Sequence, residues 1–193
     1  GKFDASQWTF PQEFQKNGYK TSLFGKWHLG TDPQGYDFWN VLPGQGTYYA
    51  PDFRTPKGLV AGTPGEYVTE AVVSKSIDWL EKDRDKDKPF MLMVQHKAPH
   101  RNWMPALRHL DLYADQDLPE PPTLFDKWKD NAPPARNQEL EIDRHMDLNY
   151  DLFVDLTPEY NQPASQKRQD RSAWHNMKRM TEEQLKAWRA AYR

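Results

Sequence analysis

Apolar positions gather in a few segments of this chain, each with its own period. Over residues 8–18, Phe10 and Phe14 lie four apart, Pro11 suits a first turn and Gly18 suits the position just past a helix end. That pattern predicts a helix. Thr21, Leu23 and Phe24 predict a short buried strand, with Gly25 and Gly30 as turn points beyond it. Over residues 65–82, Val68, Ala71, Val72, Ile77, Trp79 and Leu80 share one helix face, and Thr63 or Thr69 offers a cap near its start. Pro89 to His96 is almost entirely apolar and reads as a buried strand of a parallel sheet. Helix followed by strand is one unit of an α/β fold.

The text between these segments is polar. Residues 31–65 are rich in Gly and Pro with little periodicity. Gly35–Trp39 and Gly44–Tyr49 read as ordered loop plugged by aromatic rings, with packing as their simpler use and glycan contact as the alternative. Glu81–Lys88 is a mixed-sign run that reads as a solvated connection. Past residue 104 a short helix is expected over Met104–Tyr113, a proline-rich loop over 115–135, a helix over 136–150 and weakly patterned polar chain over 157–172. Thr181-Glu182-Glu183-Gln184 is a capping box opening a final helix to Arg193. The chain thus divides into an α/β portion, 1–113, and a proline-rich loop and helical portion, 114–193.

Composition narrows the possibilities. A length of 193 residues suits one domain, and a hydrophobic share of 37% with mean hydropathy −1.01 is polar for a chain holding a buried sheet. Much of it is therefore surface loop, or packs against something outside the chain. Eight Trp, nine Tyr and nine Phe argue against plain disorder and suit a core or a carbohydrate-facing surface. A net charge of −2 without a basic block argues against nucleic acid. No apolar run approaches the about 18 residues of a membrane span. The lack of Cys excludes disulfides and thiol catalysis. The chain starts at Gly1 without a signal peptide, and so reads as part of a longer protein.

Two places carry candidate chemistry. Lys26 and His28 follow the first strand two residues apart, so in extended backbone they share a side. A fixed positive charge beside a residue type that titrates near neutrality suits an anionic substrate and a proton transfer, though a Lys-x-His pair also arises by chance. Lys97 and His100 emerge just past the second strand. If the two strands are neighbours, their carboxyl ends would place His28 and His100 around one anion, where α/β sheets put their ligands.

The wording around these residues goes further. Gly18-Tyr19-Lys20-Thr21 with Phe24-Gly25-Lys26-Trp27-His28-Leu29-Gly30, followed by Lys97-Ala98-Pro99-His100, resembles the type I, formylglycine-dependent sulfatases. The likeness is strongest over residues 8–135. Lys97–Pro105 and Pro119–Asp126 look most like bacterial enzymes acting on 6-sulfated N-acetylglucosamine in host glycans. The resemblance implies an alkaline-phosphatase-like fold, a mostly parallel mixed sheet between helices, present here only in part. It also implies a formylglycine nucleophile and a calcium ion that polarises the sulfate oxygens. Carried over by motif, Lys26 contacts the sulfate, His28 hydrogen-bonds the formylglycine hydroxyl, and His100 faces the bridging oxygen as acid for the leaving alkoxide. Lys97 either binds sulfate or is structural. Arg101, Asn102 and Trp103 are sugar-contact candidates. His96 reads as a core or supporting histidine, and His109, His145 and His175 as structural or surface.

The departures are as informative. No C/S-x-P-S-R motif occurs, no Asp-Asp pair precedes Lys26, and Asp130-Asn131 falls in the proline-rich loop. Formylglycine and calcium ligands are therefore expected outside this segment, which reads as the centre of a sulfatase catalytic domain, inactive alone. Its remaining N- and C-terminal parts would be its partners in one protein, a sulfated glycan its substrate, and the bacterial periplasm or exterior its location. A non-catalytic sulfated-glycan binder, or a phosphatase or phosphodiesterase of the same superfamily, are the competing readings.

Overall fold

Thr9 and Gln12 open the first helix in the computed structural model, which describes residues 2–139, 145, 146, 151 and 176–191. The Gln12 side chain accepts from the Thr9 N–H at 2.9 Å. Helix α1 (Phe10–Lys16) carries Pro11 in its first turn, where the missing N–H is harmless. Gly18, with φ 82°, ends it in the left-handed conformation. Both termini agree with the helix read over 8–18.

Strand β1 (Lys20–Lys26) is buried from Thr21 to Gly25. It pairs in parallel with β2 (Phe38–Leu42) on one side and with β5 (Phe90–Gln95) on the other. β3 (Phe53–Thr55) and β4 (Gly58–Val60) add antiparallel pairs beyond β2. Among the described residues the sheet order is β4-β3-β2-β1-β5. Helix α2 (Val68–Asp78) packs against β1 and β5, burying Val68, Ala71 and Val72, and runs into a π-helical turn over Trp79–Asp83. Leu23, Trp39 and Val41 form a core cluster with Trp27, Tyr36 and Met93 against it. The Tyr36 hydroxyl reaches the Met93 sulfur at 2.9 Å, and burial pushes that phenol up to about 12.

Several expectations need correction. Residues 31–65 are not all loop, since they contribute β2, β3 and β4; these strands are three to five residues long, too short for periodicity to stand out. Gly25 is not a turn point but lies inside β1. Neither Thr63 nor Thr69 caps α2; its N-cap is Tyr67, and its first turn is held by packing. Ile77 is 46% exposed, off the buried face. β5 is only partly buried, with Phe90 43% and Val94 38% exposed, because it is the edge strand of the described sheet.

The chain forms two compact units, residues 1–101 with 174–185, and residues 102–173 with 186–193. In the second, Met104–Tyr113 gives only a 3-10 turn, Leu107–His109, rather than a helix. A short helix, α3 (Pro133–Arg136), follows the proline-rich loop, and the Trp103 N–H donates to the Asp151 carbonyl at 2.8 Å. The helix expected over 136–150 falls largely, and the polar stretch over 157–172 wholly, outside the described residues. The final helix, α4 (Glu182–Ala191), starts on its predicted capping box: Gln184 N–H donates to Thr181 Oγ1 at 3.2 Å and Thr181 N–H to Gln184 Oε1 at 2.9 Å. No described helix is long and apolar enough to cross a membrane.

Candidate active site

Lys26 owes its place to Gly25. Gly25 has φ 100°, and a Cβ there would sit 1.9 Å from the Gln95 carbonyl oxygen. Only glycine lets β1 and β5 run this close, with Gly25 opposite Gln95 in register. Lys26 therefore leaves the sheet beside the residues that follow β5. β2 runs parallel too, so three strands direct their carboxyl ends to one edge. The strands next to β1 on its two sides belong to different connections, which makes its end the expected ligand crevice.

Three loops meet at that edge. After β1, His28 adopts φ 54°. The extended register thus stops at Lys26, and the same-side argument from spacing does not hold for His28. After β2, residues 43–50 cross the end of β1. The Gln45 amide nitrogen lies 3.3 Å from His28 Nε2, and the Gln45 carbonyl accepts from the Lys97 ammonium at 3.2 Å. That ammonium also sits 4.6 Å from the centre of the Tyr48 ring. After β5, the Tyr48 hydroxyl donates to the His100 carbonyl at 2.6 Å. The His100 ring Nδ1 contacts the Arg101 carbonyl.

The electrostatics follow from this crowding. Lys97 is 6% exposed, and burial, with the Lys26 charge second, brings its ammonium down to about 8. Burial lowers Lys26 as well. Two desolvated ammonium groups at neighbouring strand ends are costly until an anion joins them. Burial, and then Tyr67 nearby, raise the Tyr48 phenol far above its ordinary range, so it stays a neutral donor. The arrangement can bind an anion and offer imidazole groups for proton transfer.

The predicted residues are distributed unevenly. Lys26, His28, Lys97, His100 and Arg101 all lie in the first unit, where the 43–50 loop touches His28, Lys97 and the His100 carbonyl, while Asn102 and Trp103 begin the second unit. His96 is exposed rather than a core histidine, because β5 has ended before it. His109 is exposed as expected, and His175 lies outside the described residues. Gln45 and Tyr48 were not singled out in the sequence reading, which put packing first and glycan contact second for their loop; the glycines on both sides of Gln45 were the available signal. Among the described residues no three His, Cys, Asp or Glu side chains stand together as a metal site, so these residues do not fit calcium.

Comparison with known proteins places the chain. A family model described as Sulfatase matches residues 3–177. The chain belongs to the sulfatase family. An N-acetylglucosamine-6-O-sulfatase from Bacteroides thetaiotaomicron is 41% identical over 194 residues, covering 98% of this chain and 33% of that protein. An arylsulfatase from Clostridium perfringens is 30% identical over 178 residues, covering 73% of this chain and 35% of that protein. The solved structure of BT4656 in complex with its substrate D-glucosamine-2-N,6-O-disulfate matches 100% of this chain at TM-score 0.83 and 38% identity, and 38% of that chain is covered. The sheet and helices are thus part of the sulfatase, alkaline-phosphatase-like fold. This sulfatase chain spans about a third of the length of the curated relatives it matches.

Proposed function

We propose that the protein containing this chain hydrolyses sulfate esters, with 6-sulfated N-acetylglucosamine in glycans as its substrate. The observation that carries this reading is the pair Lys26 and Lys97, two desolvated cations at adjacent parallel strand ends. A sulfate group offsets what each loses by burial. The 41% identity to an N-acetylglucosamine-6-O-sulfatase across nearly the whole chain supports the substrate class. Lys26 and Lys97 hold the sulfate, His28 assists the nucleophile, and His100 donates to the leaving alkoxide. Arg101, Asn102 and Trp103 contact sugar. The formylglycine and the calcium ion expected of the family come from regions outside this segment, which is inactive alone; the natural protein works in the periplasm or outside the cell.

The coding DNA on both sides of the segment, with sulfate release from 6-sulfated N-acetylglucosamine by the encoded protein, tests this. An upstream C/S-x-P-S-R motif and turnover lost in His100→Ala are the expected results. Turnover by the 193-residue chain alone would sink the claim that it is an inactive segment. A second reading is a sulfated-glycan binder that keeps the anion-binding lysines without turnover. That reading predicts saturable binding and no sulfate release even by the whole protein.

A further inference from the structure

Tyr48 is fixed from behind before it meets the site. The Val68 N–H donates to its carbonyl at 2.8 Å, and the Tyr67 ring stacks on its own ring at 6.1 Å and 20°. Two residues on, the Ala50 N–H donates to the Glu66 carbonyl at 2.9 Å, and Arg179 Nε donates to the Ala50 carbonyl at 3.1 Å. Tyr48 is buried, and its neutral phenol has a single proton to give, which goes to the His100 carbonyl at 2.6 Å. The His100 N–H donates in turn to the Lys97 carbonyl at 2.9 Å. Both peptide groups flanking His100 are thus held. Its Cα–Cβ bond has a fixed direction, and the imidazole keeps only its own side-chain torsions. The face of the Tyr48 ring meanwhile lies 4.6 Å from the Lys97 ammonium.

We propose that Tyr48 is a positioning residue with two separable duties: its hydroxyl aims His100, and its ring seats Lys97. An acid for a leaving alkoxide works only within hydrogen-bond reach, and a small misplacement costs much of its effect. A lysine on its flexible stem samples many positions unless something confines it. The Tyr48 ring and the Gln45 carbonyl together confine this one. The duty toward His100 rests on the sulfate-ester reading above; the duty toward Lys97 needs only an anion site.

The intact protein containing this chain tests the two duties apart, with 6-sulfated N-acetylglucosamine as substrate and inorganic sulfate as ligand. Tyr48→Phe keeps the ring and loses the hydroxyl. Its kcat should fall on the order of tenfold at nearly constant KM, with sulfate affinity by calorimetry unchanged. Tyr48→Leu, or Tyr48→Met should it not fold, loses the aromatic face as well. Sulfate affinity should then weaken roughly fivefold. Thr181→Ala removes a helix cap outside the site and should lower Tm while leaving kcat and affinity alone. Unchanged kcat in Tyr48→Phe, or an equal kcat loss in Thr181→Ala, overturns the duty toward His100. No sulfate binding by wild type, equal affinity without the aromatic face, or a loss already complete in Tyr48→Phe overturns the duty toward Lys97. Wild type that binds sulfate but releases none from the ester sinks the sulfate-ester reading and the His100 duty with it, while the affinities still decide the Lys97 duty.

Discussion

The Tyr48 hydroxyl donates to the backbone carbonyl of His100 at 2.6 Å, joining positions 52 residues apart in sequence. It ties the loop after β2 to the turn after β5. The same ring lies under the Lys97 ammonium. One side chain thus steadies both residues that emerge past β5.

Tyr48→Phe keeps the ring and removes that bond. The buried hydroxyl leaves and the His100 carbonyl loses its donor, a loss of about 1 kcal/mol. A melt of the chain should show Tm lower by roughly 2–4 °C. An unchanged Tm would mean the bond contributes nothing to the fold.

Lys97 gives stability a pH dependence. Folding brings its ammonium to about 8 from an ordinary 10.5. Between those values the unfolded chain binds more protons, so stability rises with pH across the window and is lost as pH falls through 8. The full difference is on the order of 3 kcal/mol. Lys97→Met should therefore be more stable than wild type at pH 7 and lose that advantage by pH 10.5. Urea titrations at both pH values decide it; an equal difference at both would contradict the assignment.

Lys26→Met removes the second of the two causes that act on Lys97. Its titration, followed by side-chain nitrogen resonance, should move up from about 8 yet stay below 10.5, because burial remains. Adding sulfate to wild type should move it the same way, through a bound anion. No response to sulfate at high concentration would count against an anion site here.

Gly25→Ala sets a methyl group against the Gln95 carbonyl at a distance real contacts never reach. β1 and β5 must then separate, and a loss above about 2 kcal/mol is expected in a denaturant titration, from strain at positive φ and the clash together. A variant as stable as wild type would show that the strands can part freely.

Much of the candidate site was legible in local wording. Phe24-Gly25-Lys26-Trp27-His28 and Lys97-Ala98-Pro99-His100 mark strand ends because apolar runs precede them, and an apolar run can be read without its neighbours. The same holds for α1, bounded by Pro11 and Gly18, and for the Thr181 capping box. Sequence alone therefore determined the family, the helix–strand order and which lysines and histidines follow the strands. The burial of β5 was not readable, since an apolar strand looks the same at a sheet edge as inside. Nor was the direction of His28, because its positive φ ends the alternation on which spacing arguments depend.

Only the tertiary structure decided what joins the strand ends. Gln45 and Tyr48 lie in text with no period, and nothing local says that a loop after β2 crosses β1 to meet Lys97. That contact depends on strand order, and strand order arises from the long-range pairing of β1 with β2 and β5. The depressed Lys97 ammonium has the same origin: its burial and the nearness of Lys26 exist only once β1 and β5 are side by side. Chain wording sets which charges are present; packing sets how closely they are held and how far from water.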